Sequence, residues 1–164
     1  MRVAARAATK EDLPDLAALV TGCASALGPE RGGEQFAARE FLVPPYAAGL
    51  ETMLSDRDVL VLSGTIDDQV LAVAVVRIEM LADDGVLGRL ELLFVDPDAR
   101  EVGLGEALVG AAIAWASEHG ATGLDAYALP GGREVKNFLE SSGFVARLIV
   151  MHCDVSASAG RSTR

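Results

Sequence analysis

The alternation of apolar and polar positions changes period several times along the chain, and the changes divide it into elements. Arg2 to Ala8 reads as a short edge strand. Thr9 then stands three residues before Asp12, with Pro14 inside the first turn, a capping-box-like start that predicts a helix from about Glu11 to Ala26. Gly28 to Gly33 is a turn-rich break. After it, a mixed segment through Phe36, Phe41 and Tyr46 to Met53 predicts one further helix, interrupted at Pro44 and Pro45. Asp58 to Thr65 and Val70 to Met80 are rich in Val, Leu and Ile and flank Ile66-Asp67-Asp68-Gln69, the pattern of a hairpin.

A third strand-like run, Arg89 to Val95, stops at Asp96-Pro97-Asp98, where Pro97 cannot donate to a ladder. From Gly105 the period becomes about 3.6: Leu108, Val109, Ala112, Ile113 and Trp115 suit a helix to His119, with Gly120 as its stop. Leu124 to Leu129 is another strand, ended by Pro130-Gly131-Gly132, and Glu134 to Ser141 fits a short helix closed by Gly143. No Gly, Pro or Asn interrupts Phe144 to Val155, so one long final strand is expected there. The order β-α-α-β-β-β-α-β-α-β describes an α/β protein, a mixed central sheet with helices on both faces. One domain is expected over 1–155, with a flexible polar tail over 156–164.

Composition narrows the partners. The 164 residues suffice for one domain with a real core, and 51% hydrophobic residues argue against disorder. A formal net charge of -10, from 14 basic and 24 acidic residues, repels polyanions, so nucleic acid is not an expected partner. An anionic cofactor would have to be held by local backbone groups and a few placed cations. Cys23 and Cys153 lack CxxC spacing and a histidine cluster, so both are expected to be ordinary reduced thiols and no metal site is expected. No apolar run reaches the roughly 20 residues of a membrane span. A soluble cytoplasmic protein with no membrane partner is the expectation.

The informative segment is Val95-Asp96-Pro97-Asp98-Ala99-Arg100-Glu101-Val102-Gly103-Leu104-Gly105-Glu106, a strand end, a loop and a helix start. Two glycines there let backbone N–H groups approach a bulky anion, and the helix start supplies free donors and a positive dipole end. A Walker loop would need Gly-Lys-Ser/Thr, which is absent, and a dinucleotide fingerprint would need a third glycine where Leu108 stands.

The spacing Arg100-x-x-Gly103-x-Gly105, with its strand and Val-Asp-Pro lead-in, resembles the pyrophosphate loop of the GNAT (Gcn5-related N-acetyltransferase) superfamily. Arg6 to Leu13 resembles that family's first strand and helix, and Phe138-Leu139-Glu140-Ser141-Ser142-Gly143-Phe144 resembles its late Phe-Tyr-Glu-x-x-Gly-Phe element. The resemblance implies acetyl-CoA as co-substrate, with its pyrophosphate on Arg100, Glu101, Val102, Gly103, Leu104, Gly105 and Glu106. It implies a V-shaped opening between the fourth and fifth strands, with the pantetheine arm along the fourth strand near Val95. It also implies direct attack of an acceptor amine on the thioester, with a strand amide near Val95 stabilising the oxyanion. Asn137, with Lys136 beside it on the short helix, could reach the nucleotide end.

The sequence departs from the family where Leu139 stands in place of the tyrosine acid. Tyr127, on the fifth strand, is the nearby phenol that could replace it; a half-buried strand aromatic is its ordinary alternative. For a base, Glu91 lies at even spacing from Val95, so both side chains share a face unless a bulge intervenes, and Asp125 on the fifth strand is second. A solvated strand carboxylate is the ordinary reading of either residue. Glu101 and Glu106, which would repel a pyrophosphate if aimed at it, are expected to face solvent. The expected activity is N-acetyl transfer from acetyl-CoA to a primary amine of a small molecule or peptide. The alternative, prompted by Leu139, is a catalytically weak acyl-CoA-binding sensor. The uninterrupted final strand suggests a homodimer.

Overall fold

The computed structural model of the protein describes residues 1–156. The expected polar tail therefore lies, apart from Ser156, outside the described residues. Five strands form one sheet in the order β1-β2-β3-β4-β5: β1 Val3–Ala7, β2 Val59–Ile66, β3 Gln69–Met80, β4 Val86–Val95 and β5 Leu124–Ala126. The first four are antiparallel in sequence order, and β5 joins β4 in parallel. The expected hairpin is present, and its turn residues Asp67 and Asp68 both have positive φ, at 47° and 71°. This is the mirror-type turn whose twist matches the flanking strands.

Five helices cover the sheet: α1 Leu13–Leu27, α2 Gly33–Arg39, α3 Tyr46–Leu54, α4 Leu104–Glu118 and α5 Arg133–Ser141. The expected interruption at the prolines is a full break, with α2 and α3 separated by a loop carrying a cis Pro44–Pro45 bond. On one face Leu16, Leu19 and Val20 of α1 and Leu50 of α3 pack on Val73, Val75 and Leu92. On the other, Leu104, Leu108, Val109 and Ala112 of α4 pack on Ala72, Ala74, Val76 and Leu90. Full burial of one such side chain contributes about 1.5–3 kcal/mol, so the two layers supply the main drive for folding.

At the entrance to α1 the Asp12 carboxylate is buried. It accepts from the Arg6 guanidinium at 2.6 and 2.8 Å, the Thr9 N–H at 2.9 Å and the Ser63 hydroxyl at 3.0 Å. One carboxylate thereby ties β1, α1 and β2 together. The Arg6 guanidinium above all, then the Thr9 and Ser63 bonds, bring its pKa from 3.8 to about 2 against the opposing effect of burial.

Two expectations fail. The strand expected over Leu124–Leu129 is only three residues long, because its partner β4 turns away after Leu90. No strand forms between Phe144 and Val155: the segment runs on without sheet partners among the described residues. An isolated strand cannot satisfy its own donors and acceptors, however strong its apolar pattern, so the pattern alone could not specify pairing.

Candidate active site

The site is built around a slip in β4. Val75 of β3 faces Leu92, but Val76 faces Leu90, so Glu91 is an extra residue without a partner. A bulge of this kind bends the strand and sharpens its twist. On its outer side β4 pairs with β5 only at Gly88, Arg89 and Leu90, and the two strands part where the bulge begins. The opening expected between β4 and β5 is therefore present, with Glu91 at its apex.

The bulge also overturns the expectation that Glu91 and Val95 share a face. Val95 and Leu93 pack on the α4 layer, whereas Leu92 and Phe94 pack on the α1 layer. Glu91 joins the α1 side, since it bonds Arg77 and Arg89. Arg77 faces Val59 of that layer across the hairpin and Arg89 across β4.

Both guanidiniums donate to the same oxygen, Glu91 Oε1: Arg77 Nε at 2.8 Å and Arg89 Nη2 at 3.0 Å. Oε2 makes no hydrogen bond among the described residues and is not a buried unpaired atom, so it has access to solvent. Arg89 also meets Glu79 at 2.8 Å, and Arg77 meets Asp56 at 3.5 Å. Burial lowers the Arg89 pKa, but Glu91, Tyr127 and Glu79 together outweigh that effect and raise it. The sequence alone does not single out these arginines or Glu79. Their signal is the hairpin register, which sets Arg77 opposite Arg89, a like-charge pair that demands carboxylates beside it.

Tyr127 is at the same end of the opening. Its ring meets Phe36 of α2 edge to face at 5.3 Å between centroids, and its hydroxyl accepts a long 3.5 Å contact from Arg89 Nη1. Asp125, opposite Arg89 on β5, is already engaged by Arg147, which donates through Nε at 2.8 Å and through Nη2 to the second oxygen. Leu139 is buried, so its position on α5 is an apolar packing site.

The loop from β4 to α4 makes the second half of the site. Asp96 accepts from the Asp98 N–H at 2.9 Å, and a 3₁₀ turn at Pro97–Ala99 leads into the loop. Glu101 has φ 64° and Gly103, the N-cap of α4, has φ 93°. Among the described residues no backbone N–H from Arg100 to Glu106 donates to the protein, and the next, Ala107, reaches the Gly103 carbonyl at 3.0 Å. The Arg100 guanidinium makes only 3.5 Å contacts, to the Val95 carbonyl and to Glu134. Glu101 and Glu106 are exposed. This is a concave set of free donors at a positive helix end with one lightly held cation.

The two glycines serve different ends. A Cβ on Gly103 would meet open space, so its left-handed backbone is what requires glycine. A Cβ on Gly105 would come within 3.0 Å of the Phe138 ring, so that glycine lets α5 dock on the helix start. Asn137, beside Phe138 on α5, is exposed, and its side chain makes no hydrogen bond among the described residues. A cavity of about 350 Å³ opens on the α1 face beside the loop, bounded by Leu19, Gly22, Phe94, Asp96 and Arg100. Cys23, behind it, is a buried thiol whose pKa desolvation pushes up to about 12.

A comparison with protein families matches residues 30–144 to the acetyltransferase (GNAT) family. The chain belongs to that family. Solved structures show the same fold at low identity. The tetramutant of BH1408 from Bacillus halodurans superposes with a TM-score of 0.76 at 18% identity, covering 94% of this chain and 99% of that one. A ribosomal-protein-alanine N-acetyltransferase from Brucella melitensis gives 0.71 at 18%, covering 93% and 99%. The aminoglycoside acetyltransferase meta-AAC0020 from an uncultured soil metagenomic sample, in complex with sisomicin, gives 0.69 at 17%, covering 93% and 94%. No curated protein sequence matches the chain. Within this GNAT chain no helix among the described residues is long and apolar enough to cross a membrane.

Proposed function

We propose that this single domain transfers an acetyl group from acetyl-CoA to the primary amine of a small molecule or peptide. The observation that carries the reading is the run of free amides from Arg100 to Glu106 at the start of α4, beside the opening between β4 and β5. Those amides would hold the pyrophosphate, with Arg100 as the nearby cation and Asn137 toward the nucleotide end. Hydrogen bonds to a charged group contribute roughly 1.5–3 kcal/mol each, so four or so supply the roughly 8 kcal/mol of a micromolar complex. Acetyl-CoA, when bound, supplies an acetyl group already activated as a thioester.

The chain's own groups then manage protons. Glu91 Oε2, left without a hydrogen bond, takes the proton the ammonium must lose, while the two arginines on Oε1 hold the carboxylate in one orientation. Tyr127 Oη, at the rim, gives a proton to the departing sulfur. Asp125 is the weaker base candidate because Arg147 occupies both its oxygens. The acceptor enters from the α1 and α2 side, where Phe36 and Tyr127 form an aromatic wall.

A binding-only module is the second reading, favoured by Leu139, which is buried and apolar where relatives carry the acid. Calorimetric titration of CoA and thiol release from acetyl-CoA with a panel of amines separate the two. Micromolar binding with amine-dependent release supports the enzyme. Binding without release from any amine supports the module, and absence of binding removes both.

A further inference from the structure

We propose that the C-terminal segment Val145–Val155 is the association strand of a homodimer, pairing antiparallel with the same segment of a second copy across a two-fold axis. Six large apolar side chains, Val145, Leu148, Ile149, Val150, Met151 and Val155, are each 72–87% exposed there. Phe144 is the last residue before it to donate a backbone hydrogen bond, to the Leu139 carbonyl at 3.0 Å. Among the described residues no N–H from Val145 to Val155 finds an acceptor. Unpaired backbone and unpaired apolar side chains thus coincide over the same residues. A partner strand is the structure that satisfies both at once.

The chain's own sheet is too short to be that partner. Of its two edges, β1 has five residues and lies across the sheet, and β5, the edge where Arg147 holds the segment, has three, or roughly 10 Å at the usual rise of a strand. The segment, eleven residues, extends to roughly 36 Å. Arg147, which grips Asp125 of β5, holds the start of the segment beside that edge. The residues from Leu148 onward project past it. No glycine, proline or asparagine interrupts the segment, so nothing in the sequence folds it back into a hairpin on itself. An identical copy is the partner that matches it in length and apolar character. Isologous pairing closes the assembly at two chains.

The geometry is specific. A two-fold axis normal to a sheet leaves every residue on its own face, so paired residues must have the same parity and one residue near the middle faces itself. Consecutive N–H groups along a strand point to opposite edges. Of Ile149→Pro and Val150→Pro, therefore, at least one removes a donor from the shared edge.

Sedimentation of the full chain over a dilution series is the test, with circular dichroism confirming that each variant is folded. We expect a dimer for the natural chain, and a dissociation constant raised at least about tenfold in one or both proline variants. As a second readout, single cysteines placed at 148 to 152 in a Cys153→Ser background should form an oxidised dimer at the axial position. Val43→Cys, equally exposed but in the loop between α2 and α3, should not. A monomer at every concentration overturns the proposal. So does a dimer that survives both prolines and gives no cross-link in the segment.

Discussion

Among the described residues, the loop before α4 and the C-terminal segment each leave a run of backbone N–H groups without acceptors, and they do so in opposite chemical settings. From Arg100 to Glu106 the donors converge at a helix start, relieved of side-chain bulk by Gly103 and bordered by a cation. From Val145 to Val155 they belong to a segment without secondary structure whose side chains are mostly apolar. A run at a helix start beside a cation suits a compact anion; an apolar run with no sheet partner suits another strand. What completes a set of unpaired donors is thus decided by the element they belong to and the side chains around it. Perturbing one run should leave the other intact.

The largest expected effect is at the first run. Gly103→Asp places a carboxylate and a strained left-handed residue in the cradle without any clash, because a Cβ there meets open space. CoA affinity should fall at least about a hundredfold by calorimetry, since a repelled anion also loses its aligned donors. The sedimentation coefficient should not change. Gly105→Asp is the poorer probe, because it would also drive Phe138 away.

Next is Glu91→Gln, which touches neither run. Turnover with an amine should drop roughly a hundredfold while CoA affinity stays put, as expected for a general base acting after docking. The deficit should narrow at high pH, where the amine is already neutral. If Asp125→Asn is the damaging change instead, the base belongs on β5.

Smallest is an effect both regions share through their scaffold. The folded Asp12 carboxyl has a depressed pKa, about 2 against 3.8, so the stability it contributes is fully present above roughly pH 4 and is lost as pH falls toward 2. The loss should be about 2 kcal/mol, and an Asp12→Asn variant should show a flatter denaturant midpoint across that window.

Much of the scaffold was legible in the sequence because local physics decided it. Periodicity set the extent of α1 and α4, and two aspartates marked the mirror-type turn. The Arg100-to-Gly105 spacing located the loop. The illegible part depended on pairing between distant residues. The face of Glu91 turns on one unpaired residue opposite Val75 and Val76, which no count along β4 reveals. The Arg77 and Arg89 clamp arises from the hairpin register. The packing role of Gly105 depends on where α5 lands. The final strand failed for the same reason, since its pattern states a preference for pairing and cannot supply the mate.

The bulge has a consequence for how β4 tolerates change. With Glu91 struck out, the strand reads as unbroken alternation: Leu90 to the α4 side, Leu92 to the α1 side, Leu93 back, Phe94 across, Val95 back. Every packed residue already stands where a flawless pleat would put it, so the glutamate is a syllable inserted into a regular metre. A deletion of Glu91 should consequently keep the apolar contacts of β4, lower the melting temperature because Arg77 and Arg89 lose the carboxylate between them, and close the gap by letting β5 continue its pairing past Leu90. Amide exchange along 127–129 would slow if the gap closes, and activity would be lost from a protein whose core is untouched.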